Sequence, residues 1–376
     1  MILTLTYAVF LFLILRFCMV LFNFISNPKL PSAPRNYYDF VSILIPSYVS
    51  LSQLAGLLQS IREQDFENYE VLIYGDGSGE LRQVAAMAAG RDARVRILEP
   101  AGPGSPESAE IPEMPWLNEG AGSAGRAQSE RAEKKCRFLA SRAKGDYLLF
   151  LNRVERVERG LIYNALYRAK IHSLGLLSLF ADQKMKTFAE GQLVPSLNYL
   201  LVSLLPLRLI LLTRWKWLAA GSGQFLLFDA RHYQAFQWHS QTGSSGPDAS
   251  DIMKKMKELG FRVEALFANG YVSGRIYTGK RCFGAFRKDV LSGFEGNIPV
   301  MFMYLLLCCL GPLCLMPLLS MQLLGMGLTL VTGMRIMSSL MANQPVWWNL
   351  LFHPLQMACL AAAAGASIFR IVRKNN

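Results

Sequence analysis

The residues whose types and positions suit chemistry begin at Asn152-Arg153-Val154-Glu155. They follow directly on Tyr147-Leu148-Leu149-Phe150-Leu151, a continuous apolar run preceded by the turn pair Gly145-Asp146. A run of that length predicts a central strand covered on both faces, and open α/β sheets bind their ligands at the carboxyl ends of such strands. Arg153 would bring a fixed positive charge to that end. Glu155 and Glu158 either offer carboxylate oxygens to Mg²⁺ or are the acidic residues that a helix N-terminus favours. A second stretch, Gly75-Asp76-Gly77-Ser78-Gly79, closes the apolar run Glu70–Tyr74. By itself it is a tight glycine turn. The four histidines, His172, His232, His239 and His353, are too dispersed for a metal site by spacing and read as surface or packing residues.

The elements that must position these groups are legible in order. Val41–Pro46 predicts a buried strand halted by proline. Leu51, Leu54, Leu57, Leu58 and Ile61 recur at helical spacing and predict an amphipathic helix ending near Gln64. Glu70–Tyr74 is a second strand, so the unit is β-α-β and the sheet parallel. Gln83–Gly90 then reads as a helix, Val95–Leu98 as a strand, residues 100–125 as a Gly, Pro and Ser-rich loop, and Ser129–Ala143 as a charged helix.

The order of strand, helix and QDFENYEVLIYGDGSGE, together with GDYLLFL, resembles family 2 glycosyltransferases. The resemblance implies an α/β fold of the GT-A type, a mixed and mostly parallel sheet that binds a nucleotide sugar, with a UDP-sugar as the expected donor. On the nucleotide side it implies Pro46, Tyr48 and Asp76. In the family an Asp-x-Asp motif follows the central strand and holds Mg²⁺ or Mn²⁺ on the diphosphate. Here Asn152 and Val154, neither a carboxylate, occupy those positions, which leaves Arg153 as the residue that would substitute for the metal charge. The family's general base, placed by counting back from Gly260-Phe261-Arg262-Val263, falls on Asp248-Ala249, and Ala249 stands where the base belongs. Asp248 beside it and Asp251 three residues on are the carboxylates left to take a proton. Residues 174–239 further resemble membrane glycosyltransferases that act on carotenoid, hopanoid or ceramide-type lipids. That likeness implies a lipid acceptor met by Gly223, Gln224, Arg275 and Tyr277.

The chain has 376 residues, 52% of them hydrophobic, a mean hydropathy of +0.24 and a net charge of +12. Residues 1–26 predict a transmembrane anchor, 27–40 a linker, 41–297 the GT-A domain, 298–333 one or two membrane helices, 334–346 a loop and 347–372 a last membrane helix. Arg16 interrupts the first span. Leu197–Leu212, broken by Pro206 and Arg208, reads either as an interfacial helix along the bilayer or as a buried core helix. The basic residues lie beside apolar segments and do not alternate with aromatics on a soluble face, so an anionic membrane fits them and nucleic acid does not. Lys29, Arg35, Lys280, Arg281, Arg287 and Lys288 flank the apolar runs and predict a multi-pass protein of the bacterial inner membrane with its soluble domain in the cytoplasm. None of the seven cysteines forms a CxxC pair, so thiols are expected, without disulfides or a structural metal. Two functions follow from the resemblance: sugar transfer from a nucleotide sugar to a membrane lipid, or a non-catalytic scaffold or regulator of a lipid-glycosylating partner.

Overall fold

The computed structural model describes residues 2–34, 37–75, 77, 79–89, 92–100, 123–240, 248–277, 282–310 and 321–375. Asp76 and the basic residues Arg35, Lys280 and Arg281 lie outside the described residues. The chain forms two compact units. An α/β unit comprises Lys29–Asp182 and Leu209–Gly274, and a helical unit comprises Met1–Pro28, Gln183–Arg208 and Arg275–Asn376.

The chain starts in the helical unit with α1 (Ile2–Ser26). The α/β unit then opens with β1 (Val41–Ser47), α2 (Leu51–Arg62), β2 (Tyr69–Tyr74), α3 (Gly79–Ala89) and β3 (Val95–Leu98). It continues with α4 (Ser123–Arg142), β4 (Tyr147–Asn152), β5 (Val154–Val157), α5 (Leu161–Ile171), β6 (Leu176–Phe180) and β7 (Asp182–Gln183). The chain then passes through α6 (Phe188–Leu204) and α7 (Leu207–Leu212) and completes the α/β unit with β8 (Phe225–Asp229), α8 (Ala230–Phe236), α9 (Ala249–Glu258), β9 (Val263–Phe267) and β10 (Val272–Gly274).

Seven strands form one sheet in the order β3-β2-β1-β4-β8-β6-β9. Its pairs are parallel except that β8 runs antiparallel to both β4 and β6. This is the mixed, mostly parallel sheet expected, with the apolar run Tyr147–Leu151 near its centre. The helix face predicted for α2 is the one buried: Leu54, Leu57, Leu58 and Ile61 pack into the sheet, at about 1.5–3 kcal/mol per aliphatic side chain. Ser50 caps that helix, its hydroxyl accepting from Gln53 N at 3.2 Å. The turn Gly145-Asp146 is required sterically, because a Cβ on Gly145 would lie 2.5 Å from Ser42 N.

Three expected boundaries differ. The stretch 27–40 is not a free linker, since Leu30 is fully buried and its N–H donates to Phe267 O at 2.9 Å. Glu155 does not open a helix: it lies in β5, which pairs antiparallel with β10, and Glu158 follows that strand in the turn ahead of α5. Leu197–Leu212 is two helices, with α6 beginning at Phe188. Thr187 caps α6, accepting from Glu190 N at 3.3 Å, while the Glu190 carboxylate accepts from Lys186 N at 2.8 Å, a reciprocal cap. Pro206 ends the run. At that break Asn23 of α1 supplies the missing partners: its Nδ2 donates to Val202 O at 2.8 Å and Leu205 O at 2.7 Å, and its Oδ1 accepts from Leu207 N at 2.8 Å. Much of α6 is buried within the helical unit, so the core-helix reading applies to it.

The helical unit continues with α10 (Cys282–Gly293), α11 (Ile298–Leu305), a π-helical turn Leu306–Leu310, α12 (Met321–Met341), α13 (Val346–Leu351) and α14 (His353–Asn375). The expected loop 334–346 is helical as far as Met341, and Arg335, Ser338 and Ser339 within it are buried. Among the described residues two helices, Thr6–Ser26 and Met321–Met341, are long and apolar enough to cross a bilayer. The pair Cys282–Gly293 and Ile298–Cys308, bent by 102°, would make a third if it is one span, and His353–Phe369 is a shorter apolar helix.

Candidate functional site

The carboxyl ends of β1, β4 and the start of β8 are joined by one amide side chain. Asn152 Oδ1 accepts from Ser47 Oγ at 3.1 Å, and its Nδ2 donates to Gly223 O at 2.9 Å. The backbone repeats the link, with Asn152 N donating to Gln224 O at 2.9 Å. The loop bearing Gly223 and Gln224 is held from below by Ser178 of β6. Its hydroxyl donates to Ser222 O at 3.1 Å and accepts from Ser222 N at 2.8 Å. The structure therefore brings together Asn152, Gly223 and Gln224 and adds Ser47, Ser178 and Ser222, whose hydroxyls carry no spacing signature in the sequence.

Arg153 follows with φ +53°, a left-handed conformation uncommon for a side chain of its size. It is exposed at the strand end. The kink ends β4 and turns the chain into β5, where Val154 pairs with Gly274. A Cβ on Gly274 would lie 2.7 Å from Gln224 Nε2 and 2.8 Å from Arg153 O, so only glycine allows this approach.

Because of the kink, positions 152 and 154 do not share a face as alternate residues of one strand would. Val154 is 1% exposed and belongs to the core cluster, and its carbonyl accepts from Gln53 Nε2 at 3.0 Å. The Asn152 amide is committed to neutral hydrogen bonds on both sides. Divalent cations that serve diphosphates want carboxylate oxygens, and among the described residues no group of three His, Cys, Asp or Glu side chains is placed to hold a metal. The residues present do not fit the Mg²⁺ or Mn²⁺ site of the resemblance.

Beside this strand end lies the start of α9. Asp248 is its N-cap, with Oδ1 accepting from Ser250 N at 3.1 Å. Ala249 is buried and packs toward Gly221, where an added Cβ would come within 3.2 Å of the Ala249 methyl. Ser250 ties the two segments, its Oγ accepting from Gly221 N at 3.2 Å. Asp251 is partly exposed and lies 3.5 Å from Lys254. Position 249 is thus a packing position under the loop that carries Gly223, while Asp251 keeps a solvent-facing carboxylate.

Of the residues expected to meet the nucleotide, Pro46 is buried inside β1, and the β1–β4 register shifts between Leu44 and Ser47, in keeping with a strand residue that has no N–H. Tyr48 is half-buried and packs against the core. Arg275 and Tyr277, which the resemblance would put on the acceptor side, belong to the helical unit. Arg275 forms an ion pair with Glu190, both largely buried. Burial opposes the Glu190 charge, yet the Arg275 hydrogen bond and the Lys186 amide hold its carboxyl below the usual range. Tyr277 OH donates to Asp289 Oδ2 at 2.6 Å. Glu190 had a sequence signal, the Thr187-x-x-Glu190 cap. Of the histidines, His239 is fully packed, bonded through Nδ1 to Tyr233 OH at 2.7 Å, and burial pushes its pKa down to about 3, so the ring is neutral.

Residues 42–103 match the family model described as Glycosyl transferase family 2. Comparison with curated proteins finds no match. Among solved structures the chain is similar to the mannosyltransferase PcManGT from Pyrobaculum calidifontis, in complex with GDP-Man and Mn²⁺, with a TM-score of 0.51 and 15% identity over 98% of each chain. Weaker likenesses are to S. aureus TarS 1–349 with UDP-GlcNAc (TM-score 0.39, 11% identity, 87% of this chain and 88% of that one). Glucosyl-3-phosphoglycerate synthase from Mycobacterium tuberculosis is also similar (TM-score 0.38, 12% identity, 68% and 79%). The chain is family 2 glycosyltransferase-like and has the GT-A fold. At these identities the solved structures speak to fold alone.

Proposed function

We propose that this protein transfers a sugar from a nucleotide sugar, a UDP-sugar by its resemblance, to a membrane lipid, and does so without a bound metal ion. The observation that carries the reading is the end of β4: a fixed cation, Arg153, exposed in a left-handed turn directly after Asn152 with its Ser47 and Gly223 hydrogen bonds, where a strand end of this fold meets its ligand. In the transfer the bond from the sugar C1 to the diphosphate oxygen breaks with its electron pair going to the diphosphate. The acceptor hydroxyl oxygen bonds to C1, and its proton passes to a carboxylate. Arg153 meets the charge that develops on the leaving diphosphate, a guanidinium being suited to phosphate oxygens. Asp248 is used as a helix cap, so Asp251 is the base.

The membrane side of the reading rests on the two span-length helices and on the segment after α7. Trp215 and Trp217 stack with ring centroids 5.4 Å apart and are both exposed, beside Arg214 and Lys216. Exposed tryptophans next to basic residues suit the interface of an anionic bilayer. In this reading the protein is multi-pass in the cell membrane, with the α/β unit in the cytoplasm.

The test uses the full chain in nanodiscs made with bacterial lipid extract, supplied with labelled UDP- and GDP-sugars. Label should enter the organic phase at a rate unchanged by EDTA and reduced at least tenfold by Arg153→Ala. Absolute dependence on Mn²⁺, or donor binding with no transfer to any lipid, overturns the proposal; the latter would favour a scaffold.

A further inference from the structure

The helical unit buries two arginines and gives neither a carboxylate. Arg16 of α1 is 4% exposed and Arg335 of α12 is 1% exposed. Arg16 Nη1 donates to Cys308 Sγ at 3.0 Å and Nη2 to Ser203 Oγ at 3.2 Å. Arg335 donates from Nε to Asn349 O at 3.3 Å and from Nη1 to Pro195 O at 3.2 Å. Both guanidiniums lie against the ring of Tyr199, at 5.0 Å and 4.8 Å from its centroid, so the two cations gather around one side chain of the bundle. Among the described residues, neither makes an ion pair.

Several buried polar atoms in this unit also have no hydrogen-bond partner among the described residues: Arg16 Nε, Arg335 Nη2, both amide atoms of Gln192, Gln356 Oε1 and His353 Nδ1. His353 stands edge-on to Tyr199 with centroids 5.5 Å apart. A buried guanidinium is costly without an opposite charge, and an ionisable residue within apolar helices is by default a candidate for function. Two such cations around one ring repel each other, and cation–π contact offsets only part of that cost. The unit's buried carboxylate, Glu190, is taken by Arg275.

We propose that Arg16 and Arg335, both against the ring of Tyr199 and with Ser203 beside Arg16, bind a phosphate group inside the helical unit. Arginine forks match phosphate oxygens with paired N–H donors, and the unpartnered Nε and Nη2 supply donors still to be used. The ligand class is a phosphomonoester or phosphodiester, carried by a lipid or free in solution. The lipid arm deepens the proposed function by making the lipid anionic; the site itself is independent of it.

The experiment measures binding without any sugar donor, so loss of transfer activity and loss of this site are read separately. Full-length protein in a neutral maltoside detergent is titrated with dodecyl phosphate, with inorganic phosphate, and with dodecanol as the uncharged control, followed by thermal unfolding and by isothermal calorimetry. Dodecyl phosphate should bind saturably and raise the unfolding temperature, and dodecanol should not. Arg16→Gln and Arg335→Gln should each weaken the binding at least tenfold. If either variant fails to fold, Ser203→Ala, which removes a hydroxyl beside Arg16 and no charge, should still weaken it several-fold. Saturation by inorganic phosphate at equal affinity supports the site and assigns it to free phosphate; preference for the alkyl phosphate assigns it to a lipid. No saturable binding by either phosphate, or undiminished binding in the variants, overturns the proposal. So does rapid iodoacetamide labelling of Cys308 at neutral pH that is lost in Arg16→Gln, since a thiolate would then be the counter-ion.

Discussion

Replacing Val154 by aspartate restores the carboxylate that family resemblance expects after the central strand, and the structure forecasts that it will damage the protein instead of arming it. Val154 is 1% exposed within the core cluster, packed where β5 meets Gly274. The substitution forfeits about 1.5–3 kcal/mol of apolar burial. It also leaves a polar group with no arranged partner, which adds about 1–3 kcal/mol if the acid stays protonated and more if it ionises. A total near 4 kcal/mol is a large share of the roughly 5–15 kcal/mol that holds a typical domain together. Denaturant unfolding, followed through the buried Trp238, should show the loss in Val154→Asp, about a third of it in Val154→Ala, and no Mn²⁺ uptake by calorimetry in either. A Val154→Asp protein as stable as the parent that binds Mn²⁺ would refute the reasoning, because position 154 would then face the ligand and not the core.

Asn152→Ala, which cuts both the Ser47 and the Gly223 bonds, should cost about 1–3 kcal/mol and lower donor affinity in calorimetric titration. Arg275→Ala strands the Glu190 carboxylate and should cost about 3–5 kcal/mol, with Glu190→Gln in the same chain recovering part of it in thermal melts. Since the folded Glu190 pKa is lowered, its share of stability is present above the unfolded value, near pH 4.3, and lost as pH falls through the folded one. Lys257 runs the other way. Burial lowers it from 10.5 to about 8 while its Nζ donates to Leu218 O at 2.6 Å, so the unfolded chain holds the extra proton in that window. Stability should therefore rise between pH 8 and 10.5, and Lys257→Met should flatten the rise in pH-dependent denaturation.

Strand and helix periodicity carried most of the α/β unit, because its elements are regular and its core strands are nearly continuous apolar runs. The turn at Arg153 was not legible: arginine gives no sign of a positive φ, and without that kink 152 and 154 read as neighbours on one face. The polar run Arg335, Ser338, Ser339 looked like loop for a related reason. Its partners are remote in the chain, Arg335 reaching Pro195 O and Asn349 O, and Ser339 Oγ accepting from Asn349 Nδ2 at 2.9 Å, so nothing local announced burial. The start of α6, by contrast, was written in Thr187-x-x-Glu190 and obscured by the longer apolar run beyond it. Ala249 shows the limit of carrying a family's positions across, since its burial against Gly221 is a packing fact that no motif records.

Asn23 sets an order of events during synthesis. The groups it satisfies, Val202 O, Leu205 O and Leu207 N, are 179, 182 and 184 residues downstream, and the Cys308 contact of Arg16 is 292 residues away. At the roughly 5–20 residues per second of translation, α1 waits tens of seconds or less for α6 and longer for the helix bearing Cys308. By the time α6 emerges the ribosome has delivered the complete β1–β6 segment. The α/β unit can thus begin to fold while α1 is still unmatched.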